Sequence, residues 1–171
     1  MKIYLGCDLF TEGQRLQALE IQKQLEEKLE DAYIYNPADN KDINDKDAGF
    51  ASNIEILLQD YERLKNSDIL ISLMDTIDLG LASEMGIAFE RNIPIFQLYT
   101  DIRLGGNDKS DKIDALKEDI FQNDFLYINK LVTALSYVNK DGKIYKKAKI
   151  YRKKEDLVKG VLDYCKNFKN L

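Results

Sequence analysis

The chain has 171 residues, which is enough for one domain with a single buried core. Its net charge of −5 argues against a protein that binds the nucleic-acid backbone, and no apolar run is long enough to span a bilayer. The sequence contains no histidine, which excludes Ser-His and Cys-His catalysis. Any acid–base chemistry must therefore come from carboxylates, tyrosines or lysines.

The two cysteines, Cys7 and Cys165, lie in apolar surroundings near opposite ends of the chain. Their spacing fits neither a disulfide framework nor a metal site, and without histidine a zinc or iron site is not expected. We therefore expect no metal and no cofactor. Free thiols and the lack of a signal-like first segment favour the cytoplasm.

The first half of the chain alternates apolar strands with amphipathic helices. The segment "KIYLGCDLF" (2–10) predicts a buried strand, and the helix that follows it has Thr11 as its N-cap. A second short strand is predicted over 32–39. The polar stretch 38–50 then predicts a surface loop, and a helix capped by Ser52 follows it.

The same alternation continues through the middle of the chain. The run "ILISLMD" (69–75) is apolar up to its final aspartate, as expected for a strand that is covered on both faces. A short helix begins near Asp78 and leads to a fourth strand over 93–99. Four strand–helix alternations in about 100 residues predict a parallel sheet with crossover helices.

The last third of the chain is less regular. Residues 113–121 and 129–138 are helical candidates, and Asp141-Gly142 is expected at the tip of a small hairpin. A C-terminal helix is predicted over 154–168.

These elements predict an α/β fold with one domain. We expect a doubly wound parallel sheet of flavodoxin or Rossmann type, with about five strands and helices on both faces. Residues 1–138 would form the main α/β domain, and 139–171 a C-terminal hairpin and helix packed on it. The basic stretch 143–160 is interpreted as a solvated strand edge and helix start rather than as a polyanion site.

Polar residues follow each predicted strand, at the edge where open α/β sheets bind ligands. The segment "LGCDLF" has a single glycine, so neither the dinucleotide fingerprint nor the P-loop is present. A pocket rich in carboxylates suits a substrate that develops positive charge, and the oxocarbenium-like state of N-glycosidic cleavage is the leading example. The residues at these strand ends include Asp8, Asp75, Asp78, Asp101 and Arg103.

Glu84 is the least ordinary of these acidic residues. Its neighbours three and four positions away on the helix are Gly80, Leu81, Ile87 and Ala88, and none of them is basic. Burying an unpaired carboxylate costs several kcal/mol or forces it to become neutral. The local pattern thus indicates either a functional group or a partner elsewhere in the chain.

Other candidates have ordinary explanations from the local sequence. Asp78 fits a helix N-cap, Asp60 fits a solvated helix position, and Tyr4 fits the core of the first strand.

Four segments, taken in order, resemble the nucleoside 2-deoxyribosyltransferases: "KIYLGCDLF", "YNPADN", "DYERLKNSDILISLMD" and "DLGLASEMGIAFERNIPIF". That family carries an opening I-Y-(L/F)-(G/A) strand, an L-x-x-x-D pattern before an apolar strand, and an Asp-x-Gly-x-x-x-Glu-(hydrophobic)-Gly segment. Residues 78–86 match the last pattern throughout, and the resemblance covers about residues 2–132.

The resemblance implies a catalytic set. Glu84 matches the nucleophile that forms a 2-deoxyribosyl ester, and Tyr4 matches the tyrosine that orients it. Asp60 matches a proton donor and acceptor near the leaving base, and Asp78 matches an aspartate that holds the sugar. An apolar surrounding would make the Glu84 carboxylate a better nucleophile, and Tyr4 would then have to keep it ionised.

The resemblance also implies substrate contacts and partners. Asn129 resembles an asparagine that completes a neighbouring subunit's site, which implies a homo-oligomer. Asp8 stands where family members usually have a small residue or proline. The implied ligands are nucleosides and free nucleobases, with no nucleic acid and no membrane partner. The remaining implied substrate-binding positions are Gly6, Phe10, Asp75 and Gly80.

Three functions are consistent with the sequence. The first is transfer of 2-deoxyribose between bases by double displacement with retention. The second is hydrolysis of a deoxynucleoside or its 5′-monophosphate on the same architecture, with water in place of the second base. The third is a nucleotide-binding module without turnover.

Overall fold

The structure is a computed structural model. It describes residues 1–41, 50–105, 109–121, 128–145 and 149–168. Most of the loop predicted over 38–50 therefore lies outside the described residues.

Five strands form one sheet: β1 (Lys2–Gly6), β2 (Tyr33–Tyr35), β3 (Ile69–Leu73), β4 (Ile95–Leu98) and β5 (Ile150–Tyr151). Their order is β2-β1-β3-β4-β5, and every neighbouring pair is parallel. The direction of winding reverses between β1 and β3, which is the switch point of a flavodoxin-like doubly wound sheet. The predicted fold class is confirmed.

The first strand is shorter than the predicted segment 2–10. Its pairing with β3 ends at Gly6, which lies opposite Ser72. Beyond that point Asp8 Oδ1 accepts a hydrogen bond from the backbone N–H of Phe10 at 2.9 Å, and this turn directs the chain into the first helix. The carboxyl end of β1 is therefore at Gly6.

The described helices are α1 (Glu12–Glu26), α2 (Asn53–Lys65), α3 (Leu79–Glu90), α4 (Ser110–Glu118), α5 (Lys130–Ala134) and α6 (Lys154–Phe168). Thr11, Ser52 and Asp78 cap the first three helices, as predicted. Ser52 and Glu55 exchange hydrogen bonds in a capping box, which fixes the start of α2. No helix in the described ranges is long and apolar enough to cross a membrane.

The two faces of the sheet bury separate apolar clusters. Ile3 and Leu5 of β1 point to one face, where α1 and α6 pack. Tyr4 points to the opposite face, where Leu64 of α2 and Met85 of α3 cover it. This alternation along one strand places Tyr4 under the two helices that carry Asp60 and Glu84.

The C-terminal part of the chain completes the sheet. β5 pairs with β4, and α6 packs against α1 and β4. The side chain of Tyr151 occupies the space that a Cβ on Gly160 would need, so α6 approaches β5 closely at that glycine. The expected hairpin is present as an antiparallel bridge between Val138 and Ile144, with Gly142 at φ 80° in its tip.

Candidate active site

Glu84 and Tyr4 form a hydrogen-bonded pair at the carboxyl end of the sheet. The Tyr4 hydroxyl donates to Glu84 Oε1 at 2.7 Å. Tyr4 is fully buried in the interior strand β1, whereas Glu84 is partly buried on α3. The carboxylate on the apolar helix side therefore has a partner in the chain, and that partner is a hydroxyl rather than a cation.

The surroundings of Glu84 disfavour its charge. Burial raises the pKa of Glu84, the hydrogen bond from Tyr4 lowers it, and the negative charges of Asp60 and Asp78 raise it again. The result is a pKa of about 7, compared with 4.5 for an ordinary glutamate. Near neutral pH the group exists as a poorly solvated carboxylate in balance with its acid form.

Tyr4 is held in its protonated form. Burial, and after it the charge of Glu84, raise the pKa of the Tyr4 hydroxyl far above its usual value. The phenol therefore acts as a hydrogen-bond donor across the physiological pH range.

Gly6 leaves room for the Glu84 side chain. A Cβ at this position would lie 3.1 Å from Glu84 Oε2 and 2.5 Å from Leu81 Cδ1. Bare backbone at the end of β1 is thus part of the wall against which the carboxylate lies.

A second tyrosine–carboxylate pair lies beside the first. The hydroxyl of Tyr35 on β2 donates to Asp60 Oδ1 on α2 at 3.2 Å. Tyr35 is the register partner of Tyr4, and their ring centroids are 5.1 Å apart. Sequence reasoning did not identify Tyr35. The signal was the parallel pairing of β1 and β2, which puts both tyrosines on one face.

Asp78 caps the helix α3 and also lies close enough to Glu84 to affect its charge. Its Oδ1 accepts from the backbone N–H of Leu81 at 2.7 Å, which caps α3. Its charge also contributes to the raised pKa of Glu84. Cys7 lies in the same region, but burial and nearby carboxylates raise its pKa to about 12, so the thiol is unreactive at neutral pH.

Residues 3–131 match the family model of the nucleoside 2-deoxyribosyltransferases. The chain belongs to this family. No curated protein matches it by sequence.

Several solved structures share the fold of this chain over nearly the whole length of both chains. A conserved protein of Enterococcus faecalis V583 is 33% identical with a TM-score of 0.82, covering 96% of this chain and 98% of its own. A 2-deoxyribosyltransferase of Bacillus psychrosaccharolyticus is 18% identical with a TM-score of 0.60, covering 95% and 96%. A CMP N-glycosidase of Clostridium botulinum is 18% identical with a TM-score of 0.51, covering 96% and 99%.

The family resemblance implied a substrate contact for Asp75, and the structure places this carboxylate between two strand ends. It accepts from the backbone N–H of Thr100 at 2.5 Å, from the Thr100 hydroxyl, and from the backbone N–H of Asp101 at 3.2 Å. These bonds tie the segment after β3 to the segment after β4. A contact of Asp75 with substrate stays a prediction.

The other implied binding residues lie at the ends of elements. Asp8 accepts from Phe10, whose own ring is 75% exposed. Gly80 is exposed in the first turn of α3. Asn129 is exposed and caps α5 by accepting from the backbone N–H of Leu131 at 3.0 Å. Their roles in binding stay predictions of the family resemblance.

Proposed function

We propose that the protein is a nucleoside 2-deoxyribosyltransferase that exchanges purine or pyrimidine bases through a covalent deoxyribosyl ester on Glu84. The observation that carries the proposal is the 2.7 Å hydrogen bond from Tyr4 to a carboxylate with a pKa of about 7. Family membership supports chemistry at the N-glycosidic bond. No metal or cofactor enters the mechanism, because carboxylates alone can supply both the nucleophile and the acid.

The first half-reaction transfers the sugar to the enzyme. A Glu84 carboxylate oxygen attacks the anomeric carbon, and the bond to the base nitrogen breaks with its electron pair going to the base. In the reactive form of the site the two carboxyl groups share one proton, which lies on Asp60 while Glu84 is ionised, and Asp60 gives this proton to the departing base. The product is a neutral ester, which the apolar wall of Gly6 and Leu81 tolerates better than the free anion.

The second half-reaction reverses these roles. A new base attacks the anomeric carbon from the face that the first base left, and Asp60 accepts its proton. The Glu84 carboxylate departs and is again stabilised by the Tyr4 hydroxyl. Two displacements at one carbon give net retention of configuration.

Asp78 and Asn129 have positioning roles in this proposal. Asp78 at the start of α3 holds the sugar near Glu84. Asn129, exposed at the start of α5, completes the site of a neighbouring copy in a homo-oligomer. One face of α2 supports assembly, since Ile54, Leu57 and Leu58 are 56–64% exposed.

The charge of the site favours an uncharged nucleoside as donor. The two groups shown to act on the charge of Glu84 are Asp60 and Asp78, and both are acidic. A 5′-phosphate would add a further negative charge close to these carboxylates, which is unfavourable at short range. We therefore place deoxynucleosides ahead of their monophosphates as substrates.

Hydrolysis is a second candidate, because one structural neighbour is a CMP N-glycosidase and water could replace the second base. The two reactions are separated by incubating the protein with deoxyinosine, with and without free adenine. The transferase yields deoxyadenosine, and adenine accelerates the release of hypoxanthine. Release of hypoxanthine that is faster without adenine would support the hydrolase. If no combination of donor deoxynucleoside and acceptor base gives release or exchange, both the transferase and the hydrolase are contradicted.

A further inference from the structure

The Tyr35–Asp60 pair repeats the Tyr4–Glu84 pair one strand away. We propose that Tyr35 is a positioning residue for Asp60, which it orients and stabilises for proton transfer to and from the nucleobase. The inference rests on the proposed function. It extends that function to a residue that does not itself touch the substrate.

The hydrogen-bond pattern fixes the direction of the Tyr35 proton. Asn40 Nδ2 donates to the Tyr35 hydroxyl at 3.2 Å and to Gln59 Oε1 at 3.0 Å. An amide nitrogen can only donate, so the proton of Tyr35 must point to a different atom. Asp60 Oδ1 accepts it at 3.2 Å.

The ring of Tyr35 is held by contacts with two neighbouring side chains. The Tyr4 ring packs against it at 5.1 Å, with an angle of 53° between the planes. The guanidinium carbon of Arg63 lies 4.6 Å from the ring centroid. With only 6% of the residue exposed, the hydroxyl has a set position relative to Asp60 before substrate arrives.

The chemical state of Tyr35 suits a donor. Burial raises its pKa to about 12, so the hydroxyl keeps its proton at neutral pH. Arg63 acts in the opposite direction, since its positive charge favours the ionised phenol and thereby strengthens the phenol as a donor.

The hydrogen bond strengthens as the reaction proceeds. When the sugar–base bond breaks, its electron pair stays on the base nitrogen, and the proton of the Asp60 carboxyl group moves to the base. Asp60 is then an anion, and a phenol donates more strongly to an anion than to a neutral acid. Tyr35 therefore stabilises the state after proton transfer more than the state before it, which lowers the barrier.

The variant Tyr35→Phe tests this because it keeps the ring and removes the hydroxyl. With deoxyinosine, kcat should fall by about 10- to 100-fold while KM changes by less than about 2-fold. With 4-nitrophenyl 2-deoxyriboside, whose phenolate leaves without a proton, the variant should react at nearly the wild-type rate. Tyr33→Phe is the matched control, because Tyr33 lies on the same strand and is 60% exposed.

Each result decides the inference. If Tyr35→Phe loses equal activity on the two substrates, or loses none with deoxyinosine, the positioning role is overturned. Base exchange by the wild type would still uphold the proposed function in that case. A wild type that is inactive on every deoxynucleoside would overturn both, because Asp60 then has no base to protonate. If Tyr35→Phe does not fold, Asn40→Ala is the second variant, because it keeps the phenol but removes the hydrogen bond that directs its proton to Asp60. This variant should lose activity on deoxyinosine but not on 4-nitrophenyl 2-deoxyriboside, and the loss should be smaller.

Discussion

Tyr4 in strand β1 and Glu84 in the helix after β3 are joined by a 2.7 Å hydrogen bond, although 80 positions separate them in the chain. The bond favours the ionised carboxylate, while burial and two neighbouring carboxylates favour the acid. The opposition of these effects holds the Glu84 pKa near neutrality and leaves its anion poorly solvated. Such an anion is a reactive nucleophile that can still be present at working pH.

The variant Tyr4→Phe should lower activity and move its pH dependence. The hydrogen bond lowers the pKa of Glu84, so its removal raises that pKa above about 7 and reduces the ionised fraction at neutral pH. We expect kcat/KM for deoxyinosine at pH 7 to fall by about 10- to 100-fold. The acid limb of the pH profile should shift to higher pH, and Tyr33→Phe should leave it in place. If the acid limb of Tyr4→Phe does not shift, Tyr4 does not control the ionisation of Glu84.

Glu84→Gln should stabilise the protein relative to the wild type by an amount that grows as the pH rises above about 4.5 and levels off above pH 7. The folded-state pKa of Glu84 is about 7 and the ordinary value is 4.5, so the folded protein binds more protons than the unfolded chain between these values. The contribution of Glu84 to the free energy of unfolding is therefore fully present below about pH 4.5 and is lost as the pH rises through 7.

This linkage is measurable by urea unfolding of the wild type and Glu84→Gln at pH 5 and pH 8. The variant should gain on the order of 2–3 kcal/mol relative to the wild type at pH 8, and the gain should shrink towards pH 5. Glu90→Gln, on the exposed side of the same helix, should show no such trend. A gain for Glu84→Gln that is the same at both pH values would show that the carboxylate is not destabilised by its surroundings.

Gly6→Ala should damage both stability and activity. The added methyl would lie 3.1 Å from Glu84 Oε2 and 2.5 Å from Leu81 Cδ1, so the carboxylate or the helix must move. We expect a loss of about 1–3 kcal/mol in the free energy of unfolding, together with a fall in kcat. Gly13→Ala is the matched control, since a Cβ there meets nothing within 4 Å and alanine favours the helix. If thermal unfolding and exchange rates of the two variants are alike, Gly6 does not form the wall of the site.

Local sequence rules were sufficient for the start of three helices and for the burial of two strands. Thr11, Ser52 and Asp78 carry side-chain caps at the predicted positions, because capping depends on residues within one turn. The apolar runs of β3 and β4 predicted buried parallel strands for the same local reason.

Strand pairing between distant parts of the chain was harder to predict from the sequence. The predicted first strand ran past Gly6 because nothing local shows where its pairing with β3 stops. The two-residue strand β5 lies in a basic stretch and depends on pairing with β4. Tyr35 was missed for a similar reason, since its importance depends on its register with Tyr4 and on the distant helix that carries Asp60.

The anomaly at Glu84 was visible in the sequence, but its explanation was not. A carboxylate on a helix with no basic residue nearby indicated either a function or a partner elsewhere in the chain. The structure shows that this partner is Tyr4. That partner satisfies one carboxylate oxygen without neutralising the charge. A structural ion pair would have done the opposite, lowering the pKa and the reactivity of the group.

The most direct test of the account is mass spectrometry of the intact protein after brief incubation with a deoxynucleoside and no acceptor base. We expect a mass increase of one 2-deoxyribosyl unit that maps to Glu84, is kept in Glu90→Gln and is absent in Glu84→Gln. Base release by the wild type with no such adduct, or an adduct on a different residue, would contradict covalent catalysis by Glu84.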